Sequence, residues 1–217
     1  RDQLASSELP VSEKASYLLS SWGRCRGHFE ALQDAVEEVF GHGYICPTHN
    51  ILGSVKLVVS TLALEGSVVP TNARELIDIL LPRGLDAPYV RDTDEDVFTG
   101  NPDPALVEDA ISDGPVPFLL VQAFADGQHP FSLARLRELR ALADDAGVRL
   151  VVDGSRIVEN AWYIQRHERG QADRSIAAIV KQIAKTAHVF LFDGGQDAKS
   201  NTGGLITTDN PEDFDGD

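Results

Sequence analysis

Three short apolar runs constrain the fold of this chain more than any other feature: Phe118–Val121 (FLLV), Arg149–Val152 (RLVV) and Val189–Phe192 (VFLF). Nearly unbroken apolar runs of this length mark strands buried on both faces, the condition of a parallel sheet covered by helices. Between them lie segments of helical period. Ser132 caps a stripe of Leu133, Leu136, Leu139 and Ala143 that Gly147 ends, and further helices are predicted over Glu159–Arg166 and Ser175–Ala187. Pro104 opens another, running to about Ile111. The first half repeats the alternation more weakly. Helices are expected over His28–Phe40, Ser54–Leu64 and Ala73–Leu81, with short strands at 44–46, 67–69 and 89–91. On His28–Phe40 the predicted buried face is Phe29, Leu32, Val36, Val39 and Phe40. With a last strand at 205–207, the βαβα order calls for a three-layer αβα domain around a mainly parallel sheet.

Composition narrows the partners. The 217 residues carry 34 acidic against 19 basic side chains, a net charge of −15, which repels nucleic acid and anionic membrane surfaces. Hydrophobic residues make up 42% of the chain, enough for a globular core. No apolar run approaches a membrane span and the N-terminus has no signal-peptide layout, so a cytoplasmic location is expected. Cys25 and Cys46 read as two reduced thiols. The chain contains no Met and stops abruptly at Pro211–Asp217 (PEDFDGD), which reads as a piece of a longer polypeptide. Residues 1–26 are expected to form an N-terminal arm and 27–217 one domain.

Ligands of open α/β sheets bind beyond the carboxyl ends of the strands. That rule selects Asp153, with Ser155 and Arg156 close behind, and the loop Asp193–Asp197 (DGGQD). Asp153 and Arg156 either hold a polar ligand together or pair with each other to fix the loop. His49, in the run Pro47–Asn50, is a further candidate at a strand end. The six histidines show no metal-ligand spacing, and no dinucleotide, P-loop or nucleophile-elbow motif occurs.

Leu150–Ile164 (LVVDGSRIVENAWYI), Phe40–His49 (FGHGYICPTH) and Gln128–Leu133 (QHPFSL) resemble the β-eliminating lyases, tryptophanase and tyrosine phenol-lyase. The likeness runs from about Gly27 to Phe214 and is poorest over 67–89. It implies the large domain of the aspartate-aminotransferase fold, a pyridoxal phosphate (PLP) cofactor, a homodimer whose interface builds the active site, and Asp153 as the partner of the pyridine nitrogen. It also implies a small C-terminal domain that this chain lacks.

The departures from the family pattern bear on the chemistry. The family's Ser-x-Lys-Lys-Asp motif corresponds to Asp193–Asp197, so Gln196 stands at the Schiff-base lysine and Asp193 at the phosphate-binding serine. An amide forms no imine with an aldehyde. A carboxylate beside a phosphate dianion costs several kcal/mol, on the order of magnitude set by Coulomb's law in a partly dry site. In the loop Pro47–Val55, Leu52 replaces the phosphate-contacting arginine and is followed by Gly53; Phe124 stands at the ring-contacting asparagine. No aromatic occurs near Pro70–Asn72, where the stacking ring belongs.

The resemblance therefore implies a catalytically degenerate lyase domain with no cofactor, serving as a structural, docking or dimerisation module of a larger bacterial biosynthetic enzyme. Tryptophanase-like and cysteine-lyase-like domains occur in some polyketide megasynthases, which suits such a module. One alternative is an active PLP-dependent lyase on an amino acid or thioether, with Lys199 as a substitute aldimine lysine. Another is a PLP-independent domain that binds a small polar molecule through Asp153, Arg156, Gln196 and His49. Gly53 and Asp193 complete the candidate site residues.

Overall fold

The computed structural model describes residues 26–92, 97–199, 203–210 and 212; the expected N-terminal arm and Cys25 lie outside them, and Cys46 is a free thiol. Helix α1 (Arg26–Phe40) leads into strand β1 (Tyr44–Thr48), followed by α2 (Ile51–Leu62), α3 (Arg74–Leu80) with a 3-10 turn at Leu81–Arg83, and α4 (Pro104–Asp113). Then come β2 (Phe118–Gln122), the short β3 (Phe124–Ala125) and β4 (His129–Pro130), α5 (Leu133–Ala146), β5 (Arg149–Asp153), α6 (Ile157–His167), α7 (Ile176–Thr186), β6 (Val189–Asp193) and β7 (Gly204–Thr208).

The main sheet has the order β1-β7-β6-β5-β2. β2, β5 and β6 run parallel, β7 is antiparallel to β6, and β1 is antiparallel to β7. Four strands therefore point one way and β7 alone is reversed. Because successive strand side chains face opposite sides, the apolar runs feed two separate cores. Leu119, Val121, Leu150, Val152 and Phe190 face α1, α4, α5, α6 and α7. Phe118, Leu120, Val151, Val189, Leu191 and Ile206 face α2 and α3. This is the three-layer αβα arrangement expected from the sequence.

Several boundaries differ from expectation for physical reasons. The expected start of α2 at Ser54 moves back to Ile51, because the Asn50 side chain accepts the Gly53 N–H at 2.8 Å and caps the helix. The segment at 67–71 meets β2 through one isolated parallel bridge, Thr71 with Leu120, and the segment at 86–90 is bridged to 67–71 at Val68–Asp86 and Thr71–Tyr89. Pro70 and Pro88 lend carbonyls to Leu120 and Thr71 but have no N–H to continue a ladder. On α1, Val36 and Phe40 are buried while Phe29, Leu32 and Val39 of the expected face stay exposed. Among the described residues no helix is long and apolar enough to cross a membrane.

Candidate functional site

β5 delivers Asp153 to the carboxyl edge of the sheet, where it is 3% exposed. Its Oδ1 accepts the Ser155 N–H at 2.9 Å and the Ser155 hydroxyl at 2.7 Å, and its Oδ2 accepts from Gln122 Nε2 at 3.1 Å. Gln122 ends β2 in register with Asp153 and also donates to Glu75 of α3, so one amide bridges two carboxylates. Burial pushes the Asp153 carboxyl up to about 6, and the Glu75 charge adds to this, while the Ser155 and Gln122 donors pull the other way. Gly154 leaves no room for a side chain behind this carboxylate, since a Cβ there would sit 2.7 Å from the Leu191 carbonyl oxygen.

Beside Asp153 lies a cavity of about 210 Å³ lined by Ile51, Leu52, Val55, Leu76 and Ile79, with Glu75 and Ser155 at its polar end. No cation lines it. Arg156 turns elsewhere: its Nη1 donates to the Gly127 carbonyl at 2.7 Å, and its Nη2 meets Glu159 at 3.2 Å. It also lies over the ring of buried Phe124, with Cζ 5.2 Å from the centroid. The internal Asp153–Arg156 pair considered from sequence has not formed: Arg156 is held by Gly127 and Glu159 instead.

The second candidate loop is closed on itself. The Asp193 Oδ1 accepts from the Gly195 and Gln196 N–H groups at 2.9 and 3.3 Å, while the Gln196 side chain is exposed. Lys199 is exposed and holds a left-handed backbone at φ 53. His49 is exposed, and Gly53 serves the α2 cap. Asp153 and its neighbour Ser155 line the cavity, together with Leu52, while Arg156, His49, Gly53, Asp193 and Gln196 are not among its lining residues. Asn72, near the position of the family's stacking ring, is fully buried and bonds Gly100 and the β2 backbone.

Sequence reasoning missed two residues here, and missed the role of a third, Asp197, in the loop it selected. Gln122 and Glu75 reach Asp153 only through the tertiary fold. Asp197 accepts the Val158 N–H at 3.2 Å at the start of α6, whose own N-cap Arg156 supplies no side-chain bond. The absence of a capping residue type before Ile157 was the available signal. Burial raises the Asp197 carboxyl, and the Val158, Ile157 and Arg156 backbone donors oppose the shift. Among the described residues no group of three or more His, Cys, Asp or Glu side chains gathers to hold a metal.

The sequence profile of the Beta-eliminating lyase family matches residues 26–211. The chain belongs to this family. It is 29% identical to a tyrosine phenol-lyase of Intrasporangium calvum over 82% of this chain and 40% of that protein. It is 30% identical to a tryptophanase of Hyphomonas neptunium over 84% of this chain and 43% of that protein. The chain thus spans about two-fifths of the length of these curated relatives. In fold it is similar to an O-acetylhomoserine (thiol)-lyase of Campylobacter jejuni, solved with N′-pyridoxyl-lysine-5′-monophosphate. The TM-score is 0.60 at 14% identity, covering 83% of this chain and 38% of that one. The architecture is that of PLP fold type I enzymes, and members of this family depend on PLP.

The cavity of this β-eliminating lyase relative suits that cofactor poorly. A phosphate dianion needs cations as well as N–H donors; among the described residues the lining offers the Ser155 hydroxyl and the first turn of α2 at Ile51 and Leu52, but no side-chain cation, and it sets the carboxylates of Glu75 and Asp153 beside them. An imine needs an amine, and no described lysine lines the cavity. Lys181 donates to the Glu37 and Glu38 carbonyls, and Lys185 lies 4.0 Å from Asp209.

Proposed function

We propose that this chain is a catalytically degenerate β-eliminating lyase domain that acts as a structural, docking or dimerisation module within a larger bacterial biosynthetic enzyme, such as a polyketide synthase assembly, and works without PLP. One observation carries the reading: the cavity beside Asp153 is walled by aliphatic side chains, Ser155 and two carboxylates, and no amine or guanidinium of the described residues lines it. Gln196 at the Schiff-base position and the self-bonded Asp193 carboxylate support it. Residues 27–217 form the domain in this reading, residues 1–26 an arm, and a second copy or the neighbouring domains of the parent polypeptide are the partners.

Incubation with PLP followed by borohydride reduction and peptide mass mapping tests the proposal. The expected result is scattered, substoichiometric labelling of surface lysines with no saturable imine absorbance. A stoichiometric adduct on Lys199, lost in Lys199→Ala, overturns the proposal in favour of an active lyase on an amino acid or thioether.

A further inference from the structure

On the face away from the Asp153 cavity, α5 and α7 enclose two adjoining open hollows that share Lys185. The first, about 380 Å³, is lined by Arg137, Arg174, Lys181 and Lys185 with Ala178, Gln182 and Thr186, and no carboxylate lines it. The second adds Arg140, His188 and Asp209. Asp144 answers Arg140 at 2.8 Å and His188 at 3.0 Å, and Asp209 approaches Lys185 only to 4.0 Å. Arg137 and Arg174 are exposed and make no ion pair with any described residue. The ammonium of Lys181 is anchored on the last carbonyls of α1, at 2.9 Å from Glu38 O and 3.4 Å from Glu37 O. The Lys181 and Lys185 stems pack over Gly41, where a Cβ would meet both at 2.9–3.0 Å. A cationic track survives in this way on a molecule of net charge −15.

We infer that this track between α5 and α7 is a docking groove for a short, extended acidic segment of a partner protein. From Ala178 to Ala187 the helix advances about 14 Å, the length of roughly four residues in extended conformation. That is longer than a single phosphate or carboxylate can use. It is too short for a nucleic acid, whose remaining phosphates would face the acidic surface and be repelled. Of the four cations of the first hollow, Lys181 is partly answered by two backbone carbonyls and Lys185 by the distant Asp209, so the four still match four or so carboxylates spaced along a strand. Association through such a surface is fast and salt-sensitive rather than tight. The inference names a surface for the docking role proposed above but uses none of the PLP-site residues, so each can fail without the other.

The test is fluorescence anisotropy of a labelled peptide of alternating Glu and Asp, six residues long, against the intact protein. At 50 mM salt, saturable binding is expected, weakening at least tenfold at 300 mM salt and at least tenfold in R137E/R174E. The control Lys56→Glu, on the opposite layer, leaves it unchanged, and all variants melt together. Absence of saturable binding, equal binding by R137E/R174E, or tighter binding of a single-stranded oligonucleotide overturns the inference. If R137E/R174E melts lower, Arg137→Gln alone, with its smaller loss of affinity, decides the matter.

Discussion

Asp153 carries the most informative single-residue chemistry in the molecule. Its folded pKa of about 6 lies above the ordinary carboxyl value of 3.8, so the folded chain holds this proton more tightly than the unfolded one. The stability this supplies is fully present below about pH 4 and is lost as the pH rises through 6. Two pKa units and a fraction correspond to about 3 kcal/mol. Asp153→Asn removes the dependence while keeping an acceptor for Ser155. Urea unfolding of both proteins at pH 4 and pH 7 is therefore expected to shift in the variant's favour by up to about 3 kcal/mol between the two conditions. Parallel pH profiles would show that the carboxylate is solvated after all. The place of Asp153 was legible in the sequence, because a buried apolar run ended on it. Its partners were not: Glu75 lies far away in the chain, and Gln122 ends a different strand, so only the packed sheet brings them together.

At the scale of elements, the two helix starts with a serine cap were read well, whereas the start of α2, capped by Asn50, was placed too late. Ser132 and Ser175 sit where their hydroxyls accept from Arg135 and Ala178, both at 3.1 Å, and both helices begin as expected. Nothing local signals that α5 is held a second time by Glu168, whose two carboxylate oxygens accept the Leu133 and Ala134 N–H groups at 2.8 Å each. A carboxylate at a helix N-terminus meets both the open donors and the helix dipole. Glu168→Ala is expected to cost about 1–2 kcal/mol, a melting temperature lower by roughly 3–6 °C in a thermal scan, and Glu168→Gln less. The bridges at 67–71 and 86–90 illustrate the other limit: their apolar residues gave the right burial, but the prolines decided the hydrogen bonding.

At the scale of the whole molecule, two cores on either side of one sheet account for the fold, and the alternation of the apolar runs announced both. The lyase family was legible as a resemblance carried by Phe40–His49, Gln128–Leu133 and Leu150–Ile164, and the profile match over 26–211 bears it out. The proposed dimerisation role is read by sedimentation velocity at micromolar concentration, where the expected species is twice the chain mass of 23.5 kDa; a single monomer boundary counts against dimerisation and leaves neighbouring domains as the partners.

The reversed strand β7 has a temporal consequence. β1 finds its hydrogen-bonding partner only in β7, with Tyr44 opposite Thr208, roughly 160 residues later. A growing chain leaving the ribosome must therefore carry its first strand unmatched until nearly everything else has been synthesised. β2, β5 and β6 can assemble while it waits, and closure of the long loop comes last, at the slow end of folding. Shortening the nascent chain before residue 204 would leave β1 and the apolar underside of α2 open to chaperones.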